Sequence, residues 1–234
     1  MKCAICNGDI RGRYLIDEWQ QPMCGHHTVE HCSSCGRFVK PSDLHLSDGR
    51  CLCSFCLPSV VRSPQHIQWV ETRVRAILSS HGIADIPLNV PIHIVSPAEM
   101  SKKNHSKQVN LLQPGLTVTS HMMGLFSSKC SHAIYMLDYL PKVQFAGVLG
   151  HEMLHAWQNE KGISLSPPLT EGFCNVGSYV VYQAIGNELA KYYVRRLEEN
   201  TDPVYGDGFR RVVSVFKNRG DLLKTVEYIN HLIP

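Results

Sequence analysis

Nowhere in the sequence do about 18 apolar residues run together, so it offers no membrane-spanning helix. Met1-Lys2-Cys3-Ala4-Ile5-Cys6 leads straight into cysteine spacing, without the roughly 7–15 apolar residues of a signal peptide. The expectation is a soluble, cytoplasmic chain. Low-complexity tracts are absent too, and 44% hydrophobic against 18% charged residues leaves enough apolar surface to build a core. An excess of one charge sign is also lacking. Lys and Arg number 23 and Asp and Glu 20, a formal +3 that counts every thiol as neutral. No polyanionic partner, and so no nucleic acid, is expected.

Aliphatic residues are sparse up to Cys56, where turn pairs such as Asn7-Gly8 and Asp48-Gly49 are common. The same stretch holds eight of the ten cysteines. In a reducing compartment such a framework points to metal rather than to disulfides, which stand as the alternative. The spacing is Cys3-x2-Cys6 and Cys24-x2-His27, then Cys32-x2-Cys35 and Cys53-x2-Cys56, with 17 residues inside each half. Two halves of four soft donors in paired knuckles suit two structural, tetrahedral Zn²⁺ sites. The module carries six basic and six acidic residues and thus no basic stripe for nucleic acid.

The arrangement resembles a LIM domain, two tandem zinc knuckles that usually bind proteins. It departs where four residues, not two, separate His27 from Cys32. The fourth ligand of the first site is therefore His27, with His26 and His31 as alternatives. Cys51 reads as a bystander near the second site.

Leu57-Pro58 stops the module, and Ser63-Pro64 starts a helix carrying Ile67, Val70, Val74, Ile77 and Leu78 at helical spacing. The domains expected are 1–57, a LIM-like double zinc module, and 64–234. In the second, Ile86 to Ile94 alternates like a strand whose two prolines confine part of it to an edge. Residues 99–113 read as a loop, and Gly115 to His121 and His132 to Leu137 as strands. Helix formers follow Pro141 to about Glu160, a long helical stretch runs from about Leu169 to Glu199, and one or two helices end the chain. Strands first and helices after is an α+β pattern.

His151-Glu152-Met153-Leu154-His155 is an H-E-x-x-H pentad, expected by chance roughly 0.03 times in a chain with 13 His. On a helix, residues four apart share a face, so both imidazoles can ligate one Zn²⁺ with Glu152 beside them as general base. A catalytic zinc needs a third protein ligand and an open position. Glu171, 16 residues after His155 at the start of the next helix, suits that role in the manner of gluzincin metallopeptidases. Asn175 lies one turn on and could orient a ligating imidazole. Tyr179 or Tyr182 could donate to a developing oxyanion, although tyrosines on helices more often pack in a core. His93, His121 and His132 read as hydrogen-bonded or strand-face residues, and Cys130 and Cys174 as ordinary thiols, the latter close to the site. The expected reaction is peptide hydrolysis, with His132 to Leu137 as a strand on which an extended substrate could pair.

At His151 to Trp157, Glu171-Gly172-Phe173-Cys174 and Asp202 to Arg211 the sequence resembles the DA-one family of LIM-domain zinc peptidases, over nearly the whole chain. The resemblance implies a gluzincin-like peptidase domain after a LIM-like module, one catalytic and two structural zincs, His151, His155 and Glu171 as ligands, and Glu152 as base. It also implies protein substrates cleaved at few sites and a protein partner for the LIM-like module. Plant members are activated by ubiquitylation and carry ubiquitin-interacting motifs ahead of the LIM region. This sequence starts at the first knuckle, so control by ubiquitin stays open. An adaptor with an inactive peptidase fold is the other reading.

Overall fold

A computed structural model describes residues 1–106, 108–111, 113–123 and 128–231, apart from the side chains of 121–123 and 128–129. The chain divides into two compact units. One comprises Met1–Val60 with Tyr139–Pro141, the other Val61–Asp138 with Lys142–Pro234.

The first unit is two similar halves built on short hairpins, β1 (Tyr14–Ile16) with β2 (Pro22–Cys24) and β3 (Leu44–His45) with β4 (Cys51–Leu52). Each half opens with the same knuckle. Asn7 N–H bonds back to the Cys3 carbonyl and Gly36 N–H to the Cys32 carbonyl, both with positive φ (58° and 73°). The two halves are joined by Asp17, whose carboxylate accepts from the Trp19, Gln21 and Phe38 backbone N–H groups. Trp19 Nε1 also donates to the Cys35 carbonyl at 2.7 Å. The apolar centre is small: Met23 and Phe38, with Ile5 and Ile10 against them.

Among the described residues, the second unit has a three-stranded sheet and seven helices, an α+β arrangement that ends in a helical bundle. Helix α1 (Pro64–Ser80) is capped by Ser63 and buries Val70, Val74 and Leu78. Strand β5 (Ile92–Val95) pairs in parallel with β7 (Ser128–Leu137), and β6 (Gly115–Met123) pairs antiparallel with β7 on its other side. The helices after α1 are α2 (Pro97–Lys103), α3 (Lys142–Lys161), α4 (Pro167–Ile185), α5 (Glu188–Glu198), α6 (Tyr205–Arg219) and α7 (Leu222–His231). Among the described residues, no helix is long and apolar enough to cross a membrane.

Three local expectations change. The strand read from Ile86 forms only over Ile92–Val95, because Pro87 and Pro91 lack an N–H and the Ile86 and Pro87 carbonyls accept from the Arg75 guanidinium instead. The loop read from residue 99 begins with helix α2, set by a Ser96/Glu99 capping box. The stretch 169–199 is two helices, since Gly186 takes a left-handed conformation and Asn187 caps the next helix through the Ala190 N–H.

Helices α3 and α4 approach closely along small residues. A Cβ on Gly147 would collide with the Tyr182 ring, and one on Gly177 would lie 2.5 Å from Leu154. Helices α4 and α6 cross in the same way where Gly172 meets the Gly208 carbonyl and Gly208 meets the Pro168 carbonyl. These two crossings bring the middle of α3, the first turn of α4 and the start of α6 to one place.

Candidate functional site

His151 and His155 lie on one face of α3, and their Nε2 atoms are 3.0 Å apart. Glu171, in the first turn and a half of α4, brings Oε2 to 3.3 Å from His151 Nε2 and 3.6 Å from His155 Nε2. Three donors around a tetrahedral Zn²⁺ at about 2.0–2.1 Å would sit roughly 3.3 Å apart. The tripod therefore has the size of a zinc site.

The tautomer is fixed from outside. Asn175 Nδ2 donates to the Tyr205 carbonyl at 3.1 Å, which leaves its Oδ1 to accept from His151 Nδ1 at 3.0 Å. With the proton on Nδ1, the His151 lone pair at Nε2 is free for a metal. The cluster's acidic neighbours favour positive charge at the His155 imidazole. Burial lowers the affinity of His155 for a proton, but Cys174, Glu171 and Glu152 outweigh it and push the imidazole up to about 12. Burial raises the Glu171 carboxyl, yet His151 and His155 bring it down to about 2.

Glu152 is buried beside the tripod and held by β6. Thr117 Oγ1 lies 2.8 Å from Glu152 Oε2, and Gly115 leaves room for the carboxylate, since a Cβ there would stand 2.7 Å from Oε1. Sequence reasoning missed Gly115 and Thr117, which lie in a strand far from the pentad with no motif of their own. It also left Asp202 to Arg211 without a role. Asp202 Oδ1 accepts from the Val204 and Tyr205 N–H groups and so starts α6, while Gly206 makes room for the Asn200 carbonyl and Gly208 lets the helix dock on Pro168 of α4. This places the Tyr205 carbonyl on Asn175.

Tyr179 packs on Phe209 and Phe216, and Tyr182 stacks on Tyr193 over Gly147 in a core with Ala190 and Val194. Burial pushes the Tyr182 hydroxyl's pKa up. His132 is hydrogen-bonded at both nitrogens, to Thr119 and Glu160, and His93 stacks on Tyr135. The His121 side chain lies outside the described residues. Strand β7 is the middle strand, so the edge beside Glu152 is β6 rather than His132 to Leu137. A cleft of about 460 Å³ lined by Asp85, Trp157, Lys161 and Leu223 lies toward the C-terminal end of α3 and contains none of the tripod.

Cys174, read from the sequence as a thiol close to the site, lies beside the tripod. Its sulfur is fully buried, donates to Gln158 Oε1 at 3.2 Å, and lies within 4.8 Å of a ring nitrogen of both His151 and His155.

In the first unit, Cys3, Cys6, Cys24 and His27 form one four-donor cluster and Cys32, Cys35, Cys53 and Cys56 another. His27 Nε2 is shut off from solvent and has no hydrogen-bond partner among the described residues. His31 instead bonds to the Gly36 carbonyl through Nδ1. Among the described residues, no cysteine is joined in a disulfide. Cys35 and Cys53 sulfurs stand 3.6 Å apart, close to the roughly 3.8 Å edge of a tetrahedral zinc thiolate. Backbone N–H groups point at the sulfurs equivalently in both halves, Cys24 N–H to Cys3 and Cys53 N–H to Cys32, each at 3.4 Å. Desolvation opposes ionisation of Cys3, but the N–H groups of Cys24, Cys6 and Ile5 bring it down to about 6. In the second cluster hydrogen bonds from Cys35, Cys53 and Cys56 pull Cys32 far down, while the same crowding pushes Cys56 up. Four thiolates at this spacing ionise together only around a cation.

A family model described as DA1-like, Protein DA1, matches residues 107–184, the stretch that holds Thr117, the pentad, Glu171 and Asn175. Over nearly its full length the chain is distantly similar to plant proteins of that name. It is 25% identical to Protein DA1 of Arabidopsis thaliana over 297 aligned positions, 97% of this chain and 55% of that protein. It is 23% identical to Protein DA1-related 1 of the same plant, over 97% of this chain and 54% of the relative. A LIM domain-containing protein HDR3 of Oryza sativa subsp. japonica is 21% identical over 86% of the chain and 54% of its own length. The chain thus spans about half the length of the curated relatives it matches. No solved structure matches it.

Proposed function

We propose that the chain is a zinc-dependent endopeptidase of the gluzincin kind acting on selected protein substrates. The observation that carries this reading is the tripod of His151, His155 and Glu171 within 3.6 Å, with a carboxylate, Glu152, buried beside it. His151, His155 and Glu171 would hold the catalytic zinc, and the two cysteine clusters would hold two structural zincs. When bound, the catalytic zinc supplies a Lewis acid that polarises the scissile carbonyl and acidifies a water.

The remaining work falls to the chain. Thr117 holds Oε2 of Glu152, leaving Oε1 to take a proton from the attacking water and to deliver it to the departing amine. Asn175 keeps the His151 ring in the ligating tautomer. The free edge of β6 offers backbone groups to an extended substrate next to Glu152. The LIM-like unit recruits a protein partner or substrate, a reading supported by Tyr14, Leu15 and Ile16, which are all exposed on β1. The setting proposed is a reducing one, the cytoplasm, where a cysteine framework of this spacing holds metal rather than disulfides.

The second reading is a protein-binding adaptor on an inactive peptidase-like domain. Cys174 favours it, because a fourth protein donor at the tripod would close the position a substrate needs. The test is Glu152→Gln in the full chain. Loss of protein cleavage with zinc content unchanged supports the peptidase; unchanged cleavage, or none in the unaltered chain on any candidate protein, refutes it.

A further inference from the structure

The first unit contains a third donor cluster outside both knuckle sites. Glu30, His45 and Cys51 each bring one donor atom within 4.8 Å of the others. His45 and Cys51 are directly opposed across the β3–β4 ladder, and Cys51 Sγ lies 3.3 Å from His45 Nδ1. Sulfur and nitrogen on one tetrahedral Zn²⁺ would be roughly 3.5 Å apart. The pair is thus already at ligating distance.

The imidazole is oriented for this. His45 Nε2 faces the Lys40 carbonyl at 3.4 Å, so the proton sits on Nε2 and the Nδ1 lone pair points at Cys51. Cys51 is fixed through its backbone, whose N–H donates to Ser33 Oγ and whose carbonyl accepts from the Ser33 N–H. Glu30 lies on the segment joining the two halves, where its carbonyl accepts from the Val39 N–H. Its carboxylate is at the surface and can turn toward the pair.

We propose that Glu30, His45 and Cys51 form a third zinc site in this unit, with an open fourth position and readily exchanged metal. A thiolate, an imidazole and a carboxylate together select a borderline-soft divalent ion, Zn²⁺ rather than Ca²⁺ or Mg²⁺. Binding replaces the S–H bond of Cys51 by a sulfur–zinc bond and releases that proton to solvent. Two exposed ligands make the site weaker than a buried four-donor knuckle. Occupied, it ties the inter-half segment to the second hairpin, so this unit would stiffen as free zinc rises. The inference is independent of whether the tripod is catalytic.

The test is equilibrium dialysis of the full chain against buffered free Zn²⁺, with metal per chain measured for the unaltered protein, Cys51→Ser, His45→Ala and Glu30→Gln. The unaltered chain should take up one more zinc at high free metal than Cys51→Ser or His45→Ala, and Glu30→Gln should bind it about tenfold more weakly or worse. Equal uptake by all four overturns the proposal. If Cys51→Ser also loses knuckle metal, cadmium NMR of the unaltered chain decides. A one-sulfur resonance filling last, apart from those of the three- and four-thiolate sites, supports the site, and its absence overturns it.

Discussion

Thr117 Oγ1 stands 2.8 Å from Glu152 Oε2 and 2.9 Å from the Glu152 carbonyl, a contact spanning 35 residues of sequence. The hydroxyl has one proton, so it can bond the carboxylate or the carbonyl but not both at once. Bound to the carboxylate, it fixes which oxygen of Glu152 is free.

That makes Thr117 a positioning residue with a measurable signature. Thr117→Val keeps the β-branched shape of the strand but removes the donor. Cleavage should fall by about tenfold to a hundredfold in kcat with little change in KM, while zinc content is unchanged. A change in zinc content instead would show that the hydroxyl supports the fold rather than the base.

In the proposed function Asn175 would act on the metal rather than on the base. Asn175→Ala removes the acceptor for His151 Nδ1 and the donor for the Tyr205 carbonyl together. Zinc affinity at the tripod should weaken about 10- to 100-fold, read by competition with a chelator, and the cysteine clusters should be unaffected.

The pentad, Glu171 and the cysteine spacing are legible in the sequence because each is a local pattern: helix pitch sets four residues on one face, and an x2 turn sets two donors on one ion. Asn175 is legible for the same reason. Gly115 and Thr117 are not, since what matters about them is the register of β6 against α3, a tertiary property no window contains. The false start of β5 at Ile86 has the same origin. Its alternation is real, but the Arg75 guanidinium, 11 residues away, claims the Ile86 carbonyl a ladder would have used. Helix α2 and the break at Gly186 are set by caps, Ser96-Pro97-Ala98-Glu99 and Gly186-Asn187, which hydropathy and helix propensity do not register.

Gly147 carries the approach of α3 to α4. A Cβ there would overlap the Tyr182 ring, which stacks on Tyr193 and cannot swing out freely. Gly147→Ala should destabilise the chain by about 3 kcal/mol in urea unfolding. Tyr182→Leu added to it should recover part of that loss, whereas simple additivity would place the clash elsewhere.

Asp85 gives a pH signature away from both metal regions. Lys161 and then the Trp157 indole N–H hold its carboxyl below its ordinary 3.8. A depressed folded-state pKa means the stabilisation is complete above 3.8 and is lost as pH falls below it. Asp85 is about half exposed, so solvent screening limits the gain to less than about 1 kcal/mol. Asp85→Asn should be slightly less stable than the unaltered chain at pH 7 and equal to it near the acid end of the carboxylate range. A gap that persists in acid would assign the effect to the Trp157 hydrogen bond instead.

Cys174 decides between the two readings of the tripod. Its sulfur lies near both imidazoles, but its S–H already has an acceptor in Gln158 Oε1 at 3.2 Å. Burial and the negative charge of Glu171 and Glu152 raise its pKa against the pull of His155, so the thiol keeps its proton in the absence of metal. Ligation by Cys174 would have to break that hydrogen bond and release the proton, whereas the tripod alone would hold the ion with a position open. Cys174→Ala should accordingly keep its zinc and its cleavage activity and lose about 1 kcal/mol of stability through the unmatched Gln158 oxygen. Loss of one zinc per chain in this variant would make Cys174 a fourth ligand, close the site to substrate, and favour the adaptor reading.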